Sequence, residues 1–173
     1  MTHRLARPDD LPALETLIDA AIAELQKPFL DPGQVASSRA IMGLDTLLVE
    51  DRTYFVVERD GELAGCGGWS RRATLYGGDG TTGRRAAPLD PTTDAARIRA
   101  MYTHPRHARS GVGRLIISLC ESAARAEGFR SMELMSTLAG EPLYRACGYE
   151  TLERLTDDRG GAPVPLVRMA RRL

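Results

Sequence analysis

A change of hydrophobic period between residues 98 and 127 constrains the fold of this chain most. Ile98 to Thr103 is a largely apolar run, and His104-Pro105 breaks it because proline lacks an N–H and restricts the residue before it. Arg109-Ser110-Gly111-Val112-Gly113-Arg114 then opens directly into an amphipathic helical pattern from Val112 to Glu127. Leu115, Ile116, Leu119, Ala123 and Ala126 lie on or near one face of that pattern. A strand, a glycine-bearing turn and a helix in succession aim backbone N–H groups at an anion, since the first helical turn has unsatisfied donors and a positive dipole end. Glycine lets the backbone approach such a ligand closely. A tight turn with a helix cap has the same spacing, so the segment names a ligand only in context.

The flanking pattern supplies that context. His3 to Ala6 reads as a strand, and Asp9 or Asp10 caps a helix whose stripe is Leu14, Leu17, Ile18, Ala21, Ile22 and Leu25. Pro28 and the Asp31-Pro32-Gly33 turn end it, and Gln34 to Gly43 reads as a second, weaker helix. Thr53 to Glu58 and Glu62 to Ser70 are strands around an Asp60-Gly61 hairpin tip. Ala73 to Asp94 is a long polar loop of the kind that serves function. Ala96 to Thr103 is a strand, Ser131 to Ser136 another, Glu141 to Cys147 a short helix, and Tyr149 to Leu155 with Val164 to Met169 the last two strands. The order is βααβββαβαββ, an α/β domain with a mixed sheet.

Charge narrows the partners. The 23 basic and 23 acidic residues cancel, so neither nucleic acid nor an anionic membrane is an expected partner. Met1 to Asp10 lacks the apolar run of a signal peptide, and no segment approaches a membrane span. Cys66, Cys120 and Cys147 show no metal or CxxC spacing and read as reduced packing thiols in a cytoplasmic protein.

Two signatures carry a family resemblance. Ile98 to Pro105 followed by Arg109-Ser110-Gly111-Val112-Gly113 is similar to the pyrophosphate loop, Gln/Arg-x-x-Gly-x-Gly/Ala, of the GCN5-related N-acetyltransferase (GNAT) family. Leu143-Tyr144-Arg145-Ala146-Cys147-Gly148-Tyr149 resembles that family's Phe-Tyr-x-x-x-Gly-Phe element. The resemblance implies one GNAT domain over residues 2–173. Its fold is a mixed, mostly antiparallel central sheet flanked by helices and splayed at the acyl-CoA site. It implies acetyl-CoA as cosubstrate, no metal, and a small-molecule or peptide amine as acceptor, with homodimers known among family members.

Carried over residue by residue, the loop Arg109, Ser110, Gly111, Val112, Gly113 and Arg114 holds the pyrophosphate. Met101, Tyr102 and Thr103 flank the pantetheine arm, which pairs with this strand as a pseudo-peptide. Thr137 stands where many members have Asn. Tyr144 stands at the general acid. Two positions depart from the pattern: Ala108 replaces the loop's Gln or Arg, and Arg97 replaces a Glu base. Arginine cannot accept a proton there, which leaves His104, Glu133 or a water chain as base candidates. Without a nucleophile constellation, the implied reaction is direct attack of the amine in a ternary complex. A non-catalytic acyl-CoA sensor is the alternative. Trp69, Arg71, Arg72, Arg84 and Arg85 are candidate lining for the acceptor, the arginines for one that carries a carboxylate or phosphate.

Overall fold

An Asp-Gly turn and strand alternation build the centre of the sheet. The computed structural model describes residues 1–83 and 85–173. β1 (Thr2–Leu5) is an edge strand antiparallel to β2 (Tyr54–Arg59), which pairs antiparallel with β3 (Glu62–Ser70). Asp60 (φ 54°) and Gly61 (φ 82°) are both left-handed, as a two-residue type I′ hairpin requires. β4 (Ala96–Thr103) adds antiparallel to β3, and β5 (Ser131–Thr137) runs parallel to β4. β7 (Val164–Arg172) and β6 (Glu150–Asp157) complete a seven-stranded sheet of order β1-β2-β3-β4-β5-β7-β6. The sheet is mixed and mostly antiparallel, as expected.

Helices cover both faces. α1 (Leu11–Leu25) buries Leu14, Leu17, Ile18 and Ile22 against Tyr54, Val56 and Tyr102. On the opposite face lies α4 (Val112–Ala126), the crossover between β4 and β5. Its buried stripe is Val112, Ile116, Ile117, Cys120 and Ala124. The expected stripe is thus rotated: Leu115 and Ala123 lie at its margin and Ala126 is exposed.

The second helix also differs from expectation. α2 is Pro32–Ser38, because Asp31 caps it: its carboxylate accepts from Gln34 N–H (2.8 Å) while Gln34 Oε1 accepts from Asp31 N–H (3.0 Å). Pro32 therefore starts a helix rather than ending one. A short α3 (Thr46–Glu50), capped by Asp45, was not expected. α5 (Glu141–Ala146) links β5 to β6.

The feature that positions the site is a bulge in β4. Ala100 has φ 48°, left-handed in mid-strand. The β3–β4 register shifts there, between Cys66 and Gly68, so two β4 residues oppose one on β3. Ile98 and Met101 consequently both pack on the α4 side, while Ala100 and Tyr102 pack on the α1 side. The Tyr54 hydroxyl donates to Ala100 O at 2.7 Å. Gly67 lies opposite the bulge, where a Cβ would sit 2.6 Å from Met101 Cγ and 2.8 Å from Ile116 Cγ2.

β4 and β5 pair only at Ala96↔Met132 and Arg97↔Glu133. Beyond them β5 stays with β7 along its whole length and β4 stays with β3, so the sheet forks. Tyr54→Phe removes the hydroxyl that holds the bulge, and a lost buried hydrogen bond costs about 1–2 kcal/mol. The expected urea midpoint falls accordingly, and an unchanged midpoint shows that the bulge holds without Tyr54.

Candidate active site

The fork exposes one side of a strand. His104 N–H donates to Ala64 O at 2.9 Å, so Tyr102 and His104 direct their main-chain groups to β3. By alternation, Met101 and Thr103 direct theirs to the other side, where β5 has diverged. Ala100, Met101 and Tyr102 line a cavity of about 110 Å³ in the fork, with Ser136, Thr137 and Tyr144 across from them. The Tyr102 side chain points to the α1 face, its hydroxyl accepting from Gly43 N–H at 2.8 Å and packing in that core. Its main-chain groups bond β3 and not the open side of the fork. Thr137 Oγ1 accepts from Gly140 N–H at 3.2 Å, shaping the turn into α5.

The segment after β4 leaves a row of free donors. A single 3-10 turn, Pro105–His107, precedes Arg109 (φ 60°) and Gly111 (φ 90°), both left-handed. Ser110 Oγ donates to His107 O at 2.6 Å and locks the turn. The first helical bond of α4 runs from Leu115 N–H to Gly111 O. Among the described residues, no amide from Arg109 to Arg114 donates to a protein acceptor. Successive unpaired amides of this kind form an anion-binding concavity. Gly113 is fixed by packing, since a Cβ there would sit 2.6 Å from Leu143 Cδ2 of α5.

Tyr144 is presented on α5. Its ring is buried edge-on to Tyr149 at 5.8 Å, and no protein hydrogen bond to its hydroxyl occurs among the described residues. Burial holds its pKa well above the ordinary tyrosine value, so it is a neutral O–H donor at any working pH. A charged network lies behind it. Glu121 of α4 accepts from Tyr149 Oη (3.0 Å) and Arg171 Nη1 (3.0 Å), and Arg171 donates to Cys147 O (2.7 Å) at the C-terminus of α5. The helix that starts at the amide row is thereby tied to the helix that carries Tyr144.

A model of the acetyltransferase (GNAT) family matches residues 15–149. The chain belongs to that family. Solved structures agree in fold. A GCN5-related N-acetyltransferase from Rhodopseudomonas palustris has a TM-score of 0.74 at 18% identity, covering 99% of this chain and 95% of its own. A ribosomal-protein-alanine N-acetyltransferase from Brucella melitensis has 0.67 at 17%, covering 100% of both chains. The putative acetyltransferase yncA from Salmonella typhimurium, solved with acetyl-CoA, has 0.66 at 19%, covering 100% and 94%. A search of curated proteins found no match.

As a GNAT acetyltransferase, the chain departs from sequence expectation mostly on the acceptor side. Trp69 lies in the core against Phe129, with Arg71 stacked on its ring 5.0 Å from the centroid. It does not line the cavity. Arg71 pairs with Glu127, Arg72 with Asp51 and Arg85 with Glu50, and Arg84 lies outside the described residues. Glu133 is held between Arg97 (2.9 Å) and Arg168. His104 Nδ1 accepts from Arg106 N–H at 3.2 Å. Burial raises the thiol pKa of Cys66 to about 12 and those of Cys120 and Cys147 as well, which leaves none as thiolate near neutrality.

Sequence reasoning missed Tyr54, Glu121 and Arg171. Glu121 carried a signal, as an acidic residue inside the apolar stripe of α4. Glu121→Ala leaves half-buried Arg171 and the Tyr149 hydroxyl without their acceptor, at a cost of about 1–3 kcal/mol. Thermal unfolding is expected to show this as a lowered Tm, and an unchanged Tm removes the network from the structural account.

Proposed function

We propose that this GNAT acetyltransferase moves an acetyl group from acetyl-CoA to an amine by direct attack in a ternary complex. The fork carries the reading. It sets an amide row at one end, open strand groups of Met101 and Thr103 along it, and the Tyr144 hydroxyl at the far end. A pyrophosphate, an amide-bearing arm and a thioester sulfur occur in that order along acetyl-CoA. The amides from Arg109 to Arg114 hold the pyrophosphate, and Arg109 and Arg114 add charge. Ala108 supplies no side-chain contact, so the backbone does most of this work.

Each group then has a defined task. Attack of the nitrogen lone pair on the thioester carbonyl forms the new C–N bond. Collapse breaks C–S and releases the CoA thiolate, and the excess proton on nitrogen passes to solvent or to that thiolate, leaving a neutral amide. Tyr144 donates a hydrogen bond to that sulfur. A phenol is a weaker acid than a thiol, and burial weakens Tyr144 further, so its task is to stabilise developing charge rather than to complete proton transfer. The buried cysteines offer no acyl carrier, in keeping with a single transfer.

Arg97 in place of a carboxylate puts the cost of deprotonation on the acceptor. An alkylamine of pKa about 10.4 pays roughly 4.6 kcal/mol at pH 7 to expose its lone pair. With such an amine, kcat/KM is expected to rise about tenfold per pH unit from pH 7 to 9. Tyr144, its pKa raised, stays protonated throughout and causes no fall. A plateau beginning near pH 7 would instead reveal a base on the protein.

Calorimetry with acetyl-CoA tests the donor assignment directly. Tyr144→Phe is expected to lower kcat by at least about tenfold while acetyl-CoA binding is retained. Unchanged kcat removes Tyr144 from the reaction. Acetyl-CoA binding without thiol release for any amine would favour the sensor reading.

A further inference from the structure

The acceptor side of the cavity has no counter-charge for an ammonium. Ile41, Met42, Leu75, Tyr76, Met135 and Leu166 form that side. Among the described residues, no carboxylate lines the cavity. Four acids bonded to or close in sequence to lining residues are held by arginine. Asp45 pairs at 2.8 Å with Arg99, the one charged side chain among the described residues of the cavity wall. Asp157, which accepts from the Tyr76 hydroxyl at 2.9 Å, pairs with Arg159 at 2.7 Å. Two arginines share Glu133, namely Arg97 and Arg168. Glu141, next to Gly140 of the wall, is likewise shared by Arg145 (2.9 Å) and Arg154 (2.6 Å).

The geometry points to an apolar monoamine that enters this cavity as the uncharged free base, an inference that rests on the transfer reaction proposed above. A buried cation needs a paired anion or pays a large desolvation cost. A second ammonium, as in a polyamine, brings further positive charge to a wall whose charged side chain, Arg99, is itself cationic. A neutral amine on an aromatic or aliphatic body pays neither cost and gains by burying apolar surface. Arg97 and Glu133 extend the same logic, since the place of a carboxylate base is taken by an ion pair.

Steady-state kinetics with phenethylamine, spermidine and lysine amide at pH 7, 8 and 9 test this. Phenethylamine is expected to have at least about tenfold higher kcat/KM than either polar amine at pH 7. Its KM should fall close to tenfold per pH unit at nearly constant kcat, because only the free base binds. 2-Phenylethanol, which has no charge to lose, should compete with it at a Ki independent of pH. Spermidine or lysine amide as the better substrate, or a pH-independent KM for phenethylamine, overturns the inference and leaves acetyl transfer standing. Failure of all three amines to release CoA from an enzyme that binds acetyl-CoA overturns the transfer reaction itself, and this inference with it.

Discussion

The site exists because one strand is held in two registers. Up to Arg97, β4 is an ordinary strand paired on both sides. After it, the strand keeps β3 and loses β5. A left-handed alanine in mid-strand is unfavourable by itself, and three neighbours compensate. Tyr54 reaches across from β2 to bond the Ala100 carbonyl, Gly67 leaves room for Met101, and Ile116 of α4 closes over both. The bulge lies inside the fork, just beyond the last β4–β5 pair. The strand that leaves it runs through the 3-10 turn to Arg109, so the open strand edge leads into the amide row.

That arrangement separates two kinds of recognition. The donor side is made of main-chain groups whose directions are fixed by the sheet and by the start of α4. The Glu121–Arg171–Tyr149 network then links α4, which begins at the amide row, to α5, which carries Tyr144. The side proposed for the acceptor is made of apolar side chains, with acids near it paired to arginines. Its character comes from the removal of charge rather than from a placed charge.

The two sides were unequally legible in the sequence for the same reason. Main-chain recognition needs glycine, a breaker and a helix start at fixed spacing, and those leave a local pattern at Pro105, Gly111 and Gly113. The strands and the helices α1 and α4 were equally readable from their periods. α3 was missed because five residues capped by Asp45 give too little periodicity. α2 was displaced because Pro32 was read as a stop. The bulge left only an indirect trace, the glycines Gly65, Gly67 and Gly68 inside a strand, which mark close approach. Paired charges leave no local signal at all, since Arg97 and Glu133, or Glu121 and Arg171, are dozens of residues apart. Arg71, Arg72 and Trp69 looked like acceptor lining only because their partners were out of view.

Arginine is suited to this cancellation in a way that lysine is not. Its planar fork can satisfy both oxygens of a carboxylate, and its charge survives burial. Arg72 on Asp51 shows that two-point contact, with bonds of 2.7 and 2.8 Å. Around the cavity the same chemistry is used to share one acid between two strands, as Arg97 and Arg168 share Glu133 across β4, β5 and β7. The last β4–β5 register pair is Arg97↔Glu133. The ion pair therefore fastens the sheet at the point where it divides. One ion pair thus closes the fork and, in the reaction proposed above, leaves deprotonation to the acceptor.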